Sequence, residues 1–150
     1  MVERTMPEAH TEQFALPSED TLSAALQQGL QEALYSNRLM IAPRRIREFA
    51  REEARFFLQA GLGNDEEQLR ARGRHLAEQG LGLRSVTNLS AAVRRTCLEQ
   101  HAANGTFFIV LEMVDRYAGA LLDGYFNACQ EELRRELQLT QEAYRRSVQP

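Results

Sequence analysis

Apolar side chains recur along most of this chain at intervals of three and four residues, the spacing that places them on one face of an α-helix. Four such stretches precede a much longer fifth one. The first begins near Ser18, Asp20 or Thr21, any of which can cap a helix, and the second opens at Pro43, a residue favoured in the first helical turn. No stretch alternates apolar and polar residues over a useful length. The pattern therefore predicts an all-α protein.

The third predicted helix carries the clearest start signal. Asn64 would cap it and Glu67 would reach back to the cap, as in a capping box. Gly80 ends this helix, and a short apolar connector leads to the fourth one. The pair Asn104-Gly105 then separates the fourth helix from the fifth. These signals predict four short helices packed around the first half of a long one.

The fifth predicted helix runs from Thr106 to Val148 without a proline. At 1.5 Å per residue it would be about 64 Å long, whereas a compact chain of this size has a radius of gyration of only ~15 Å. The segment 107–114 is apolar nearly all round, which predicts a central element covered on several sides. The rest of the fifth helix must therefore project beyond the bundle. We therefore divide the chain into a disordered leader (1–17), a helical bundle (18–125) and a projecting helix (126–150).

In the projecting part the apolar positions narrow to one stripe that repeats after eleven residues, from Phe126 to Leu137 to Val148. An eleven-residue repeat gives a straight or slightly right-handed seam, and one narrow stripe on a charged helix suits a two-helix interface. We expect a parallel homodimer, because the stripe otherwise stays in water. The alternatives are folding back on the bundle and fraying. The predicted dimer seam comprises Phe126, Cys129, Leu133, Leu137, Thr140 and Tyr144.

Charge and composition narrow the function classes. The net charge of −3 gives no general attraction to nucleic acid or to anionic membranes. All 18 basic residues are arginine, which excludes a Schiff-base lysine and a phosphate-loop lysine. The longest apolar run, at 107–111, is too short to cross a membrane, and the polar N-terminus does not resemble a signal peptide. We expect a cytoplasmic protein with both cysteines, Cys97 and Cys129, reduced.

Charged side chains show no catalytic pattern. Glu52 and Glu53 are adjacent on a helix, so they point in different directions and are expected to be solvated. The arginines of the second helix alternate with glutamates, which favours a salt-bridged solvent face over a nucleic-acid interface. Two glutamate–arginine pairs at i, i+4 are predicted along the fifth helix, Glu131–Arg135 and Glu142–Arg146. No residue is nominated for catalysis or for a metal site.

Two ligand hypotheses arise from the helices. His101 lies four residues after Cys97 on one apolar stripe, the spacing of a haem or metal ligand pair; a buried histidine with one hydrogen bond is the ordinary alternative. Aromatic and flexible side chains also concentrate in the second and fifth helices, where they form a core or line a pocket for a small apolar molecule. The candidate pocket residues are Phe49, Phe57, Val93, Cys97, Phe108, Met113 and Tyr117.

Three segments carry a resemblance to a known group of proteins. They are the connector EQGLGLRSVTNL, the central FFIVLEMVDRYAGALLDGYFNA and the exit CQEELRRELQLTQEAYRRS. Over roughly residues 20–148 the chain resembles N-terminal sensor domains of bacterial signalling proteins. These include the RsbR-type stressosome input domains, which look like globins without haem, and helical domains that precede PAS, GAF or histidine-kinase modules.

The resemblance implies a globin-like fold or a four-to-five-helix bundle whose last helix carries a signal to a C-terminal output domain or partner protein. Some relatives bind fatty acids or other small apolar molecules. We therefore expect a cytoplasmic, homodimeric signal-input domain that is not itself an enzyme. A haem or gas sensor with His101 as axial ligand is one alternative, and an adaptor bundle without a ligand is the other.

Overall fold

The computed structural model describes residues 16–37, 40–61, 65–99 and 105–149. A 3₁₀ turn follows the first of its helices, and a π turn extends the second. No strand occurs in the described part of the chain, so the predicted all-α class is confirmed. The five α-helices are α1 (Glu19–Glu32), α2 (Pro43–Phe56), α3 (Glu66–Glu78), α4 (Leu83–Glu99) and α5 (Phe107–Val148).

Side-chain caps explain where the first and third helices begin. The Ser18 hydroxyl accepts a hydrogen bond from the backbone N–H of Thr21 at 3.1 Å. At α3 the cap is Asp65, whose carboxylate accepts from the backbone N–H of Gln68 at 3.2 Å. The observed cap is therefore one residue later than the predicted one, and Asn64 itself lies outside the described residues. Either oxygen-bearing side chain suits an N-cap, so spacing alone does not separate the two.

The bundle has two contacting parts. α1 packs on α2 and on α4, while α3 packs along α5 in the most extensive contact of the fold. α4 also contacts α5 and so links the two parts. One hydrophobic core runs through all five helices, and its largest fully buried side chains include Tyr117, Phe57, Leu22 and Leu121. Each such side chain contributes about 1.5–3 kcal/mol relative to exposure.

The predicted salt-bridged face on α2 is confirmed for several arginines. Arg45 Nη1 lies 3.0 Å from carboxylate oxygens of Glu48 and Glu52. Arg55 Nε lies 2.7 Å from Glu19 Oε1, which ties α2 to the first turn of α1. These side chains are between about a third and half exposed, so each pair contributes only about 0–1 kcal/mol.

The connector between α3 and α4 is held from two sides. Gly80 has a φ of 84°, which a residue without a Cβ adopts freely. The Tyr125 hydroxyl of α5 donates to the carbonyl oxygen of Leu81 at 2.8 Å. On the other side the backbone N–H of Gly82 donates to Asn37 Oδ1 at 3.1 Å. The connector therefore links the end of α1 to the middle of α5.

The long helix α5 contains 42 residues, about 63 Å at 1.5 Å per residue. Its last fully buried residue is Tyr125, while Ala128 and Cys129 still pack partly against the core. Residues 133–149 are all exposed. The helix therefore projects beyond the bundle, as its length predicted, although bundle contacts continue past the predicted boundary at Tyr125.

The first turns of α5 are not covered on all sides, contrary to the expectation from their apolar run. Phe108 is 76% exposed and Ile109 is 47% exposed, whereas Val110 and Val114 are buried. The reason is that α5 lies against α3 and α4 on one side of the bundle. One long face of this helix is therefore open along the described chain.

Candidate functional site

α5 carries two faces with different surroundings. Its buried residues lie on the face that meets the bundle: Val110, Val114, Tyr117, Ala120, Leu121, Gly124 and Tyr125. At about 3.6 residues per turn, the centre of the dimer seam lies roughly 150° around the helix from the centre of this buried face. The seam therefore points away from the bundle of its own chain.

The dimer seam forms a row of exposed apolar side chains. Phe126 is 47% exposed, Leu133 57%, Leu137 55% and Tyr144 69%. Val148 continues the row at 60%. From Phe126 to Val148 the row is about 33 Å long at 1.5 Å per residue. A contiguous apolar surface of this kind marks an interaction site more often than scattered apolar residues do.

Two of the predicted seam residues differ from this apolar row. Thr140 is exposed, and its hydroxyl donates to the carbonyl oxygen of Glu136 at 2.9 Å within the same helix. Cys129 is half-buried and packs partly against the bundle core, so it lies at the edge between the two faces of α5. Leu139 is a further exposed apolar residue of the projecting part, 59% exposed, but it lies off the stripe.

The ion pairs along α5 differ from the predicted spacing pairs. Glu131 does not pair with Arg135, because its carboxylate contacts Arg74 of α3 at 3.1 Å and 3.3 Å. Glu142 accepts a hydrogen bond from Gln138 Nε2 at 3.4 Å instead of pairing with Arg146. The bundle thus uses the charges that face α3, which spacing within one helix does not reveal.

A buried polar trio joins three helices inside the bundle. Glu53 of α2 is fully buried, and its Oε2 atom lies 2.7 Å from Nε of Arg72 on α3. The hydroxyl of Tyr117 on α5 donates to the other oxygen, Oε1. The expectation that Glu52 and Glu53 are both solvated is therefore wrong for Glu53. A signal was present: Glu53 lies four residues after Phe49 and four before Phe57, on the apolar stripe of α2.

The electrostatics of the trio determine which of its groups donate hydrogen bonds and which accept them. Burial raises the pKa of Tyr117 well above its ordinary value, and the adjacent Glu53 carboxylate raises it further. Tyr117 therefore remains a donor. Arg72 supplies the positive charge that a buried carboxylate requires. Its Nη2 atom is buried without a hydrogen-bond partner among the described residues, and its guanidinium carbon lies 5.2 Å from the centre of the Phe56 ring.

The candidate pocket residues separate into three groups. Five of them lie in the buried core: Phe49, Phe57, Val93, Cys97 and Tyr117. Within this group the rings of Phe57 and Tyr117 pack edge to face with their centres 4.9 Å apart. Met113 is half-buried, and Phe108 is on the surface. Burial raises the pKa of the Cys97 thiol to about 12, so this thiol stays protonated at neutral pH.

Two grooves between α3 and α5 have charged side chains in their linings. One of about 380 Å³ between α3 and α5 is lined by charged residues that include Arg74, Glu78, Glu131 and Arg135. Another of about 390 Å³, also between these helices, is lined by Glu67, Arg70 and Asn127 among others. Neither is lined by the candidate pocket residues, and the apolar ligand site remains a prediction.

The haem hypothesis has no geometry to support it here, because His101 lies outside the described residues. Within the described segments no group of three histidine, cysteine or carboxylate side chains is arranged to hold a metal ion. In the same segments, no helix has both the length and the apolarity that crossing a membrane requires.

Comparisons of this chain with protein-family models, with curated proteins and with solved structures found no match. Its function is therefore inferred from the geometry of the chain. Two features of that geometry bear on function: the exposed dimer seam on the outer face of α5, and the buried trio that connects α5 to the rest of the bundle.

Proposed function

We propose that this chain is a signal-input domain of a bacterial signalling protein, and that it forms a homodimer through the dimer seam. The observation that carries the proposal is the row of exposed apolar side chains on α5, which faces away from the bundle and continues beyond it. Pairing two such rows would remove apolar surface from water, which favours association. The eleven-residue repeat supports a partner helix that follows the row without strong supercoiling.

The contacts of α5 within the bundle support a relay role. Tyr117 binds Glu53 of α2, and Glu53 binds Arg72 of α3, so three helices share one buried polar network. α3 and α5 also cross with their backbones close together at Gly73 and Gly124. A perturbation that moves α2 or α3 would therefore act on α5 directly. Such a relay requires an element with two arrangements that both sites bias.

The receiver in this proposal is an output domain or partner protein at the C-terminal end of α5, in the cytoplasm. The resemblance to stressosome-type input domains with a globin-like arrangement belongs to the proposal as well. A small apolar molecule such as a fatty acid is the proposed class of stimulus, and the buried aromatic cluster around Phe57 and Tyr117 is where its binding would be sought.

Substitution of seam leucines tests the dimer. Leu133→Asp and Leu137→Asp each place a charge in the proposed interface, and both side chains are already more than half exposed in one chain. We expect sedimentation velocity to show a dimer for the unmodified protein and a monomer for both variants. Circular dichroism should show an unchanged helix content, because neither residue belongs to the core of the bundle. The urea unfolding midpoint should fall only by the amount that dimerisation contributes.

Leu139→Asp is the matched control. Leu139 is as exposed as Leu133 and lies between the two seam leucines and the chain end, but off the stripe. We expect this variant to remain dimeric. If Leu133→Asp and Leu137→Asp remain dimeric, the seam is assigned to the wrong residues. If the unmodified chain is monomeric at every concentration tested, homodimerisation fails and the adaptor alternative, in which α5 docks a different protein, replaces it.

A further inference from the structure

We infer that Glu136 forms an ion pair with Arg134 of a second copy across the dimer seam, and that this pair selects parallel over antiparallel association. The inference rests on the proposed homodimer and adds the residues that determine its orientation. The two halves of α5 differ in whether their charged side chains form ion pairs within one chain.

Two carboxylates of α5 beside the bundle have partners on α3. Arg70 Nε lies 3.0 Å from Asp123 Oδ2, and Arg74 Nη1 lies 3.1 Å from Glu131 Oε2. Beyond the bundle, the Arg134 guanidinium and the Glu136 carboxylate form no ion pair within the described part of the chain. Both are exposed, and both lie next to the seam residue Leu133 or Leu137 in sequence.

Helical periodicity places these two charges on opposite flanks of the dimer seam. At about 100° per residue, Glu136 lies roughly 60° to one side of the seam centre and Arg134 roughly 100° to the other side. Arg145, eleven residues after Arg134, lies on the same flank as Arg134. One flank of the projecting helix is therefore acidic at Glu136, and the other is basic.

A parallel dimer brings opposite flanks together. Its twofold axis runs along the helices, so the acidic flank of one copy faces the basic flank of the other on both sides. Glu136 then lies about 3 Å along the axis from the level of Arg134 of the second copy, because two residues separate them. An arginine side chain spans this offset readily. Because the dimer is twofold symmetric, the same ion pair forms on both sides of the seam.

An antiparallel dimer brings like flanks together. If the two seams are centred on Leu137, Glu136 lies opposite Glu136 of the second copy. If only the projecting parts overlap, Arg134 lies opposite Arg145 of the second copy. Both arrangements place like charges beside the interface, which disfavours that orientation. The apolar row by itself does not favour either orientation, because its intervals of three and four residues are similar from either end.

The outer face of the bundle leaves room for the side-by-side arrangement that parallel pairing requires. Gly119 lies on the same line of α5 as the seam, and a Cβ added there would meet no atom within 4 Å. Phe126 is about half exposed beside the bundle. The seam face beside the bundle is therefore open at these two positions, as side-by-side packing requires.

Disulfide cross-linking tests the orientation. In Tyr144→Cys, parallel pairing places the two introduced thiols at the same level, so mild oxidation should give a covalent dimer linked between positions 144 and 144. Antiparallel pairing centred on Leu137 places position 144 near the native Cys129 instead. Peptide mapping by mass spectrometry distinguishes the two links. Leu139→Cys, off the stripe, is the control and should give no link through position 139, while a link between the two native Cys129 thiols also indicates parallel pairing.

The outcomes separate this inference from the dimer itself. A link between position 144 and Cys129, or a dimer that does not cross-link at position 144, overturns the parallel orientation while the proposed dimer stands. A chain that sediments as a monomer overturns both.

Charge reversal tests the ion pair. Glu136→Arg puts like charges together in a parallel dimer and should raise the dimer dissociation constant roughly tenfold. Adding Arg134→Glu in the same chain restores opposite charges and should return the constant to within about threefold of its original value. If Glu136→Arg leaves the dimer dissociation constant unchanged, the pair does not form. The same conclusion follows if the double variant dimerises more weakly than Glu136→Arg alone.

Discussion

Gly73 of α3 and Gly124 of α5 lie at one crossing, where the backbones of the two helices touch. A Cβ atom added to Gly73 would lie 2.0 Å from the carbonyl oxygen of Leu121, and one added to Gly124 would lie 2.0 Å from that of Arg70. The obstructing atoms belong to the backbone, so no side-chain rotation relieves the overlap. The crossing therefore fixes where α5 leaves the bundle and which of its faces stays open.

Gly124→Ala should destabilise the bundle, because α3 and α5 must separate to admit the methyl group. Overpacking of a core typically costs 1–3 kcal/mol, and we expect about 3 kcal/mol at a backbone contact this close. Urea unfolding followed by circular dichroism measures the change. The Leu137→Asp background removes any contribution from dimerisation.

Gly119→Ala is the matched control on the same helix. In the same Leu137→Asp background nothing lies within 4 Å of its added Cβ, so only helix propensity changes, and the variant should be more stable by up to about 1 kcal/mol. Equal losses from Gly119→Ala and Gly124→Ala would show that the close crossing is not the cause of either effect.

Arg72→Met should be among the most destabilising changes at a charged residue. It leaves the fully buried carboxylate of Glu53 without its countercharge, a loss of about 3–5 kcal/mol. Tyr117→Phe removes only one hydrogen bond to that carboxylate and should cost about 1.5–3 kcal/mol. Chemical denaturation of each variant measures its free energy of unfolding and so tests whether Arg72→Met loses more than Tyr117→Phe.

Arg70→Met provides the comparison for Arg72→Met. Arg70 lies two residues earlier on α3, its side chain is 45% exposed, and its ion pairs with Glu66 and Asp123 lie at the surface. We expect a loss within about 1 kcal/mol. If Arg72→Met is as mild as Arg70→Met, the trio does not hold the bundle together. Replacing Glu53 and Arg72 together by methionine should recover much of the lost stability, since a buried ion pair is often replaceable by apolar residues.

Local patterns predicted the helices and the length of α5 because helical periodicity and breaking residues act over a few positions. Such local patterns could not predict the buried trio. Glu53 meets Arg72 across 19 residues of sequence and Tyr117 across 64, and no spacing rule connects such positions. The stripe of α2 did include Glu53, so its burial was open to prediction although its partners were not.

Two other differences have similar physical origins. Phe108 belongs to an apolar run that predicts cover on every side, yet the packing of one chain covers α5 on one side only. Glu131 has a well-spaced arginine on its own helix but binds Arg74 of α3, because the glycine crossing brings α3 close. In both cases the outcome depends on which helix lies alongside α5, which is a property of the tertiary fold.

The buried acid–base groups predict a loss of stability in alkaline solution. Burial raises the pKa of Cys97 from an ordinary 9.0 to about 12, and that of Tyr117 well above its ordinary 10.0. Between these ordinary and raised values the unfolded chain has released protons that the folded chain still holds. Because the unfolded state binds fewer protons, the free energy of unfolding falls as pH rises. The decline should begin near pH 9 and continue to about pH 12.

Urea unfolding at a series of pH values from about 8 to 11 measures this slope. Cys97→Ala should be less stable at every pH but should flatten the decline that begins near pH 9, because the buried thiol no longer contributes. Cys129→Ala is the control for removing a thiol that is only half-buried. A slope that is the same in both variants and in the unmodified protein would show that the Cys97 thiol does not titrate differently in the folded and unfolded states.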